Sequence, residues 1–316
     1  MLNFLYCLDE NYNLQALNSI NSLVTKTSER VNFYIIHKNP QSFEILFEKH
    51  INKKMINKLY TYKFTDQDII FPKVKNSHVS EATYYRLFFD KFIKSKDIEY
   101  LIYLDSDILC LNNPIDVFKN EISKMKKDLI PLGAKTEGTR LNSKDLFEKL
   151  GLKNDNHFNA GVLIIDYQYW VEKKVSSKLI NILEKRFDKI IYWDQDILNI
   201  YFDDNYSKLN PYLNFNHSVF SDQIIQKEEL SKILFLHYSG KNKPWDVLNI
   251  LNENTNFYQQ NFKKLNIGEY HIEFNLTKKN LKEFFKIVFG FKFKNLDNPY
   301  KFLILSIKAL LKSLSS

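Results

Sequence analysis

The feature that most constrains this chain is the run Tyr100-Leu-Ile-Tyr-Leu104, which stops abruptly at Asp105-Ser-Asp107. An unbroken apolar run of that length suits a strand buried in a sheet covered by helices. Side chains alternate along a strand, so aspartates at i and i+2 are expected to point the same way from its carboxyl end. Two carboxylates so placed suit a hard divalent cation, because Mg²⁺ and Mn²⁺ prefer oxygen and are often held by one or two carboxylates plus a substrate's phosphates.

The rest of the chain repeats the theme. Strand-length apolar runs at 2–8, 31–37, 59–64, 100–104, 128–132, 162–166 and 233–237 alternate with helical periods at 14–26, 42–57, 81–94, 143–150, 168–187 and 194–202. That alternation predicts an α/β fold with a mainly parallel central sheet flanked by helices. Only seven glycines occur, and neither phosphate-binding glycine spacing can be drawn. A bound nucleotide would need side chains or a cation for its phosphates.

Cys7 and Cys110 are the only cysteines and sit in apolar runs, which excludes a disulfide framework and a zinc site. Residues 1–8 lack a basic flank before Asp9 and Glu10, so a cytoplasmic protein is expected. The net charge of +8 is concentrated beyond residue 270, where nine lysines face Glu273, Glu283 and Asp297. The remainder is nearly neutral, and no nucleic-acid partner is expected.

Beyond residue 268 the pattern changes. Leu281, Phe284, Phe285, Val288 and Phe289 form one helical stripe, with Lys278, Lys282 and Lys286 off it. Leu303, Ile307, Leu310, Leu311 and Leu314 form another, opposite Lys301, Lys308 and Lys312. Neither is long enough to span a bilayer. The expected organisation is a catalytic domain over 1–268 and a basic amphipathic helical region over 269–316, with residues 278–314 meeting a membrane surface at the inner face of the plasma membrane. A helical appendage packed on the main domain is the alternative.

Three Asp-x-Asp tripeptides compete for the chemistry. Asp66-Gln-Asp68 lies in a polar stretch where turn formation explains it. Asp194-Gln-Asp196 opens a helical pattern, where acids complement the helix dipole and residues two apart do not share a face. Asp105 and Asp107 alone end a strand, where open α/β sheets place ligands. Asp9 and Asn11 follow the first strand, so they reach the same sheet edge, although turns favour both residues anyway. His237 ends another apolar run, and Lys243 six residues on suits a phosphate.

Taken together these segments resemble glycosyltransferase family 8, the retaining GT-A group. Six stretches match in order: Leu8-Asp-Glu-Asn-Tyr12, Thr83-Tyr-Tyr-Arg-Leu87, Leu104-Asp-Ser-Asp107, Phe158-Asn-Ala-Gly-Val-Leu163, Trp193-Asp-Gln-Asp-Ile-Leu-Asn199 and His237-Tyr-Ser-Gly-Lys-Asn-Lys-Pro-Trp245. The resemblance spans about residues 1 to 250 and implies a GT-A, Rossmann-like fold. It implies Mn²⁺ or Mg²⁺ held by Asp105, Asp107 and His237, a UDP-sugar donor, and a saccharide or glycolipid acceptor. It places Asp9 at the uracil and Asn11 at the ribose or pyrophosphate, with Cys7 and Ser106 also in the nucleotide set. His78, Arg86, Asn159, Gly240 and Lys243 border the donor. Asp194 would hold sugar hydroxyls and Gln195 would face the anomeric carbon. The expected reaction is hexose transfer with retention by same-face attack, with Asp196 as the alternative covalent nucleophile. A Mn²⁺-dependent UDP-sugar hydrolase and an inactive nucleotide-sugar-binding, membrane-tethered protein are the rival functions.

Overall fold

The computed structural model describes residues 1–65, 81–217 and 225–315. Among the described residues ten strands form two sheets: β1 (Asn3–Leu8), β2 (Val31–His37), β3 (Ile56–Lys63), β4 (Tyr100–Leu104), β5 (Ile108–Cys110), β6 (Leu132–Thr139), β7 (Asn156–Asp166), β8 (Ser207–Lys208), β9 (Phe215–Asn216) and β10 (Phe235–His237). The large sheet has the order β3-β2-β1-β4-β7-β6-β8. β3, β2, β1 and β4 run parallel, whereas β7 is antiparallel to both neighbours. Parallel neighbours require crossovers, and the helices Asn13–Lys26 and Pro40–His50 supply them. Both faces are covered: Phe4, Tyr6 and Ile102 pack on one side, Leu5, Leu101 and Tyr103 on the other. All five residues of β4 are buried, as an interior strand demands.

The small sheet, β5-β10-β9, is where the fold becomes specific. β10 pairs antiparallel with β5, bringing His237 opposite Ile108, and parallel with β9, bringing His237 opposite Asn216.

Several elements differ from the sequence pattern. The strand expected over 128–132 begins only at Leu132, because a helix, Ile115–Asp128, runs up to it and is followed by Leu129 in the left-handed region at φ 55°. That helix buries only Ile115, Phe118 and Met125, too sparse a stripe to stand out. The helix expected over 42–57 ends at His50, because the chain must turn to enter β3 at Ile56. The one expected over 168–187 is broken at Lys174, whose φ of 52° stops a right-handed helix, into Tyr167–Glu172 and Val175–Arg186. Residues 81–94 form a tight 3₁₀ turn over Glu81–Phe88 and then a single α-turn, Phe89–Phe92. Asp66, Asp68 and His78 lie outside the described residues.

The C-terminal helices, Lys278–Phe289 and Pro299–Ser315, divide their apolar residues. Phe284, Ile287, Phe293 and Phe302 are buried in a cluster with Val247, Ile250 and Phe274 of the preceding chain. Burying each such side chain contributes about 1.5–3 kcal/mol. His271 stacks between Trp245 and Phe262, fastening the start of the region to the body. Phe285, Phe289, Phe291, Tyr300, Ile304, Ile307, Leu311 and Leu314 stay exposed. Among the described residues no helix is long and apolar enough to cross a membrane.

Candidate functional site

The large sheet hands the chain to the small one at Asp105-Ser-Asp107. β4 ends at Leu104 and β5 begins at Ile108, so the two aspartates occupy a turn between sheets. Strand alternation is therefore not what aligns them; the turn is. β10 then lays His237 beside them. One ligand atom from each of Asp105, Asp107 and His237 lies within 4.8 Å of the others. His237 Nε2 is 3.3 Å from Asp107 Oδ1 and 3.9 Å from Asp105 Oδ2. Asp107 Oδ1 is buried and makes no hydrogen bond.

The ring of His237 is seated against Gly161 of β7. A Cβ at position 161 would stand 2.3 Å from His237 Cε1 and 2.7 Å from Nδ1, so no side chain fits there. The group that approaches this glycine so closely is the imidazole.

A basic side chain pairs with each of the two aspartates. Lys243 Nζ sits 2.5 Å from Asp107 Oδ2 and donates to the Tyr238 carbonyl at 2.9 Å. Burial alone would push the Asp107 carboxyl up, but the Lys243 ammonium beside it holds it well below the usual carboxylate range. Arg86 is buried and spans the site, with Nη1 3.2 Å from Asp105 Oδ1 and Nε 2.5 Å from Asp194 Oδ2. It also donates to the Ala160 carbonyl at 2.6 Å and lies over the Tyr103 ring. Its guanidinium is thus committed to protein partners, and it acts on the cleft through the two acids it orients. Asp194 accepts from Thr83 Oγ1 at 2.7 Å. Burial outweighs these two partners and pushes its carboxyl up to about 6.

The helix Trp193–Phe202 starts with Trp193 in the left-handed region at φ 48°. That conformation costs about 1–2 kcal/mol for a residue bearing a Cβ, and Asp196 holds it in place by accepting from the Ile191 and Tyr192 amides at 2.7 Å each. Asp196 is fully buried, with Oδ1 3.6 Å from His157 Nε2. Its geometry is that of a loop clasp. Gln195, on another face, accepts from the Ala160 amide at 3.0 Å and donates to Glu137 Oε2 at 3.1 Å.

Glu137 carries no pattern in the sequence that marks it, yet it gathers three side-chain amides. Gln195 binds one oxygen, while Asn159 Nδ2 at 3.1 Å and Asn216 Nδ2 at 3.2 Å bind the other. The cause is a bulge: Thr136 pairs with Phe158 and Gly138 with His157, leaving Glu137 as the extra residue of β6. Bulges re-aim side chains beside sites in this way.

The remaining candidates are dispersed around this centre. Asp9 uses one oxygen to accept from the Asn11 amide at 2.9 Å, closing a turn, and Asn11 is exposed at the sheet edge. Cys7 is buried in β1, which pushes its thiol up. Ser106 is half-buried between the aspartates, and Gly240 adopts φ 83°, a conformation open to glycine. Asn159 is buried, and its amide is engaged by Glu137, Gly161 and Asn214.

A sheet edge carrying clustered carboxylates, an imidazole and a lysine is where an α/β fold of this kind places a ligand. Residues 3–249 match the family described as Glycosyl transferase family 8, and the chain belongs to that family. A lipopolysaccharide 1,2-glucosyltransferase of Escherichia coli is 29% identical over 254 residues, which cover 75% of this chain and 71% of the relative. General stress protein A of Bacillus subtilis strain 168 is 25% identical over 268 residues, covering 78% and 88%. The crystal structure of the galactosyltransferase LgtC with donor and acceptor sugar analogs superposes with a TM-score of 0.70 at 19% identity, covering 89% of this chain and 100% of that one. The fold is GT-A.

Proposed function

We propose that this glycosyltransferase moves a hexose, glucose or galactose, from a UDP-sugar to a hydroxyl of a saccharide or glycolipid acceptor with retention of configuration, in bacterial surface glycan synthesis. The observation that carries this reading is the convergence of Asp105, Asp107 and His237 within 4.8 Å. A buried carboxylate oxygen without a hydrogen bond, facing a ring nitrogen at 3.3 Å, is what a bound cation would satisfy. Two carboxylates and an imidazole suit Mn²⁺, with Mg²⁺ as the alternative. When bound, such an ion supplies positive charge against that developing on a departing diphosphate.

The protein's own groups do the rest. Lys243 adds a second fixed positive charge beside Asp107. Arg86 fixes Asp105 and Asp194 relative to each other, and Asp194 would offer its carboxyl to sugar hydroxyls. Gln195 is pinned at both ends of its amide, which suits a positioned dipole near the anomeric carbon. Asp196, being clasped to backbone amides, supports same-face attack over a covalent intermediate. In that reaction the bond from C1 to the phosphate oxygen breaks, C1 bonds to the acceptor oxygen, and the departing diphosphate takes the hydroxyl proton. The named activities of the E. coli glucosyltransferase and of LgtC support hexosyl transfer.

With Mn²⁺ and a panel of UDP-sugars, UDP release is expected to depend on an added acceptor and to stop with EDTA. Release that no acceptor alters would instead assign a hydrolase, and binding without turnover an inactive nucleotide-sugar-binding protein.

We also take residues 269–316 as an appendage to a catalytic domain over 1–268 that meets an anionic membrane surface, placing the enzyme at the cytoplasmic face. Its exposed Phe289 and Leu311 lie among nine lysines, the pairing an anionic interface attracts. The full chain is expected to co-sediment with phosphatidylglycerol vesicles but not with phosphatidylcholine ones. Phe289→Glu combined with Leu311→Glu should release it without shifting the melting temperature. Unchanged co-sedimentation would refute the surface.

A further inference from the structure

One buried residue outside every motif joins the two halves of the site. Asn214 ends the short 3₁₀ turn Pro211–Asn214, just before β9, and is fully buried. Its Oδ1 is 2.8 Å from His237 Nδ1, and its Nδ2 is 2.8 Å from Asn159 Oδ1. Asn159 Oδ1 also accepts from the Gly161 backbone amide at 2.9 Å.

That amide settles the direction of the whole chain. A backbone N–H can only donate, so the atom of Asn159 facing it must be the oxygen. The atom of Asn214 facing that oxygen must then be Nδ2, which leaves Oδ1 facing His237. An oxygen there accepts, so Nδ1 carries the imidazole proton and the Nε2 lone pair is left toward Asp105 and Asp107. At its other end Asn159 donates to Glu137, which also holds Gln195.

We infer that Asn214 is a positioning residue that fixes the His237 tautomer for cation binding and ties that ring to the Asn159 and Gln195 amides, which meet on the Glu137 carboxylate, on the sugar side. The inference rests on the cation site proposed above and adds a coupling that none of the three ligands supplies. Carboxylate and amide partners of metal-binding histidines of this kind alter metal affinity about 10–100-fold when removed.

The two functions of Asn214 can be separated by substitution. Asn214→Ala removes both bonds. Asn214→Asp keeps an acceptor for Nδ1–H but has no donor for Asn159. Mn²⁺ binding to the full-length protein, followed by the EPR signal of free Mn²⁺, should weaken about 10–100-fold in Asn214→Ala. It should stay close to wild type in Asn214→Asp, whose KM for the donor should nevertheless rise. In metal-free wild type, ¹⁵N-histidine NMR should show the His237 proton on Nδ1, a readout independent of turnover and of whether a variant folds. A proton on Nε2, or wild-type Mn²⁺ affinity in Asn214→Ala, would overturn the inference. Wild-type protein that binds no Mn²⁺ while showing the Nδ1 proton would instead overturn the cation site and leave the tautomer lock standing.

Discussion

Asp107→Asn is expected to lower turnover by about 10²–10³-fold, the scale on which loss of one preorganised electrostatic group is felt. The substitution preserves shape and removes charge at the point where His237 Nε2 and Lys243 Nζ converge, 3.3 Å and 2.5 Å from the two carboxylate oxygens. Lys243 would be left with the Tyr238 carbonyl. Breaking a largely buried pair from one side destabilises by about 3–5 kcal/mol, so the melting temperature should fall alongside activity. Adding Lys243→Met should recover part of that stability and none of the Mn²⁺ binding. Asp107→Asn protein that keeps full activity would remove Asp107 from the cation site.

Gly161→Ala should be nearly as damaging, by a different route. A methyl placed 2.3 Å from His237 Cε1 and 3.0 Å from Asn159 Oδ1 must displace the ring, the amide, or both. Overpacking of this kind costs about 1–3 kcal/mol of stability. The functional loss should be larger than that figure suggests, because the displaced atoms are a proposed ligand and the residue that fixes its partner. Gly138→Ala is the control: its nearest neighbour is Ser143 Oγ at 3.4 Å, and Mn²⁺ affinity should not change. Equal Mn²⁺ affinity in Gly161→Ala and wild type would mean that the glycine serves packing alone.

The parts of this architecture written in the sequence are those with an uninterrupted local cause. Four parallel strands are legible because each is an apolar run, and Asp105 and Asp107 stand out because such a run ends at them. The helix Ile115–Asp128 escapes notice because only three of its residues are fully buried, and Val117 and Ile122, half-buried against the core, are interspersed with charged and polar residues. Arg86 is visible as a helical arginine among aromatics, yet its engagement with Asp105 and Asp194 depends on strands far apart in the chain. Glu137 and Asn214 were illegible for a shared reason. A bulge aims the first and a 3₁₀ turn buries the second, and each finds its partners only after β6, β7 and β10 have been brought together.

The handover between sheets has a mechanical consequence. Asp105 is anchored to the large sheet through its amide on the Gly161 carbonyl, while the Asp107 carbonyl accepts from Tyr238 on the small-sheet side. The spacing of the two carboxylates therefore reports the position of one sheet against the other, as the gap of a caliper reports its jaws. Small displacements within the Leu236, Ile233 and Trp245 packing would open or close that gap. An ion bridging it would in turn fasten the two sheets, and the proposed cation would then act on the rigidity of the whole body as well as on the reaction.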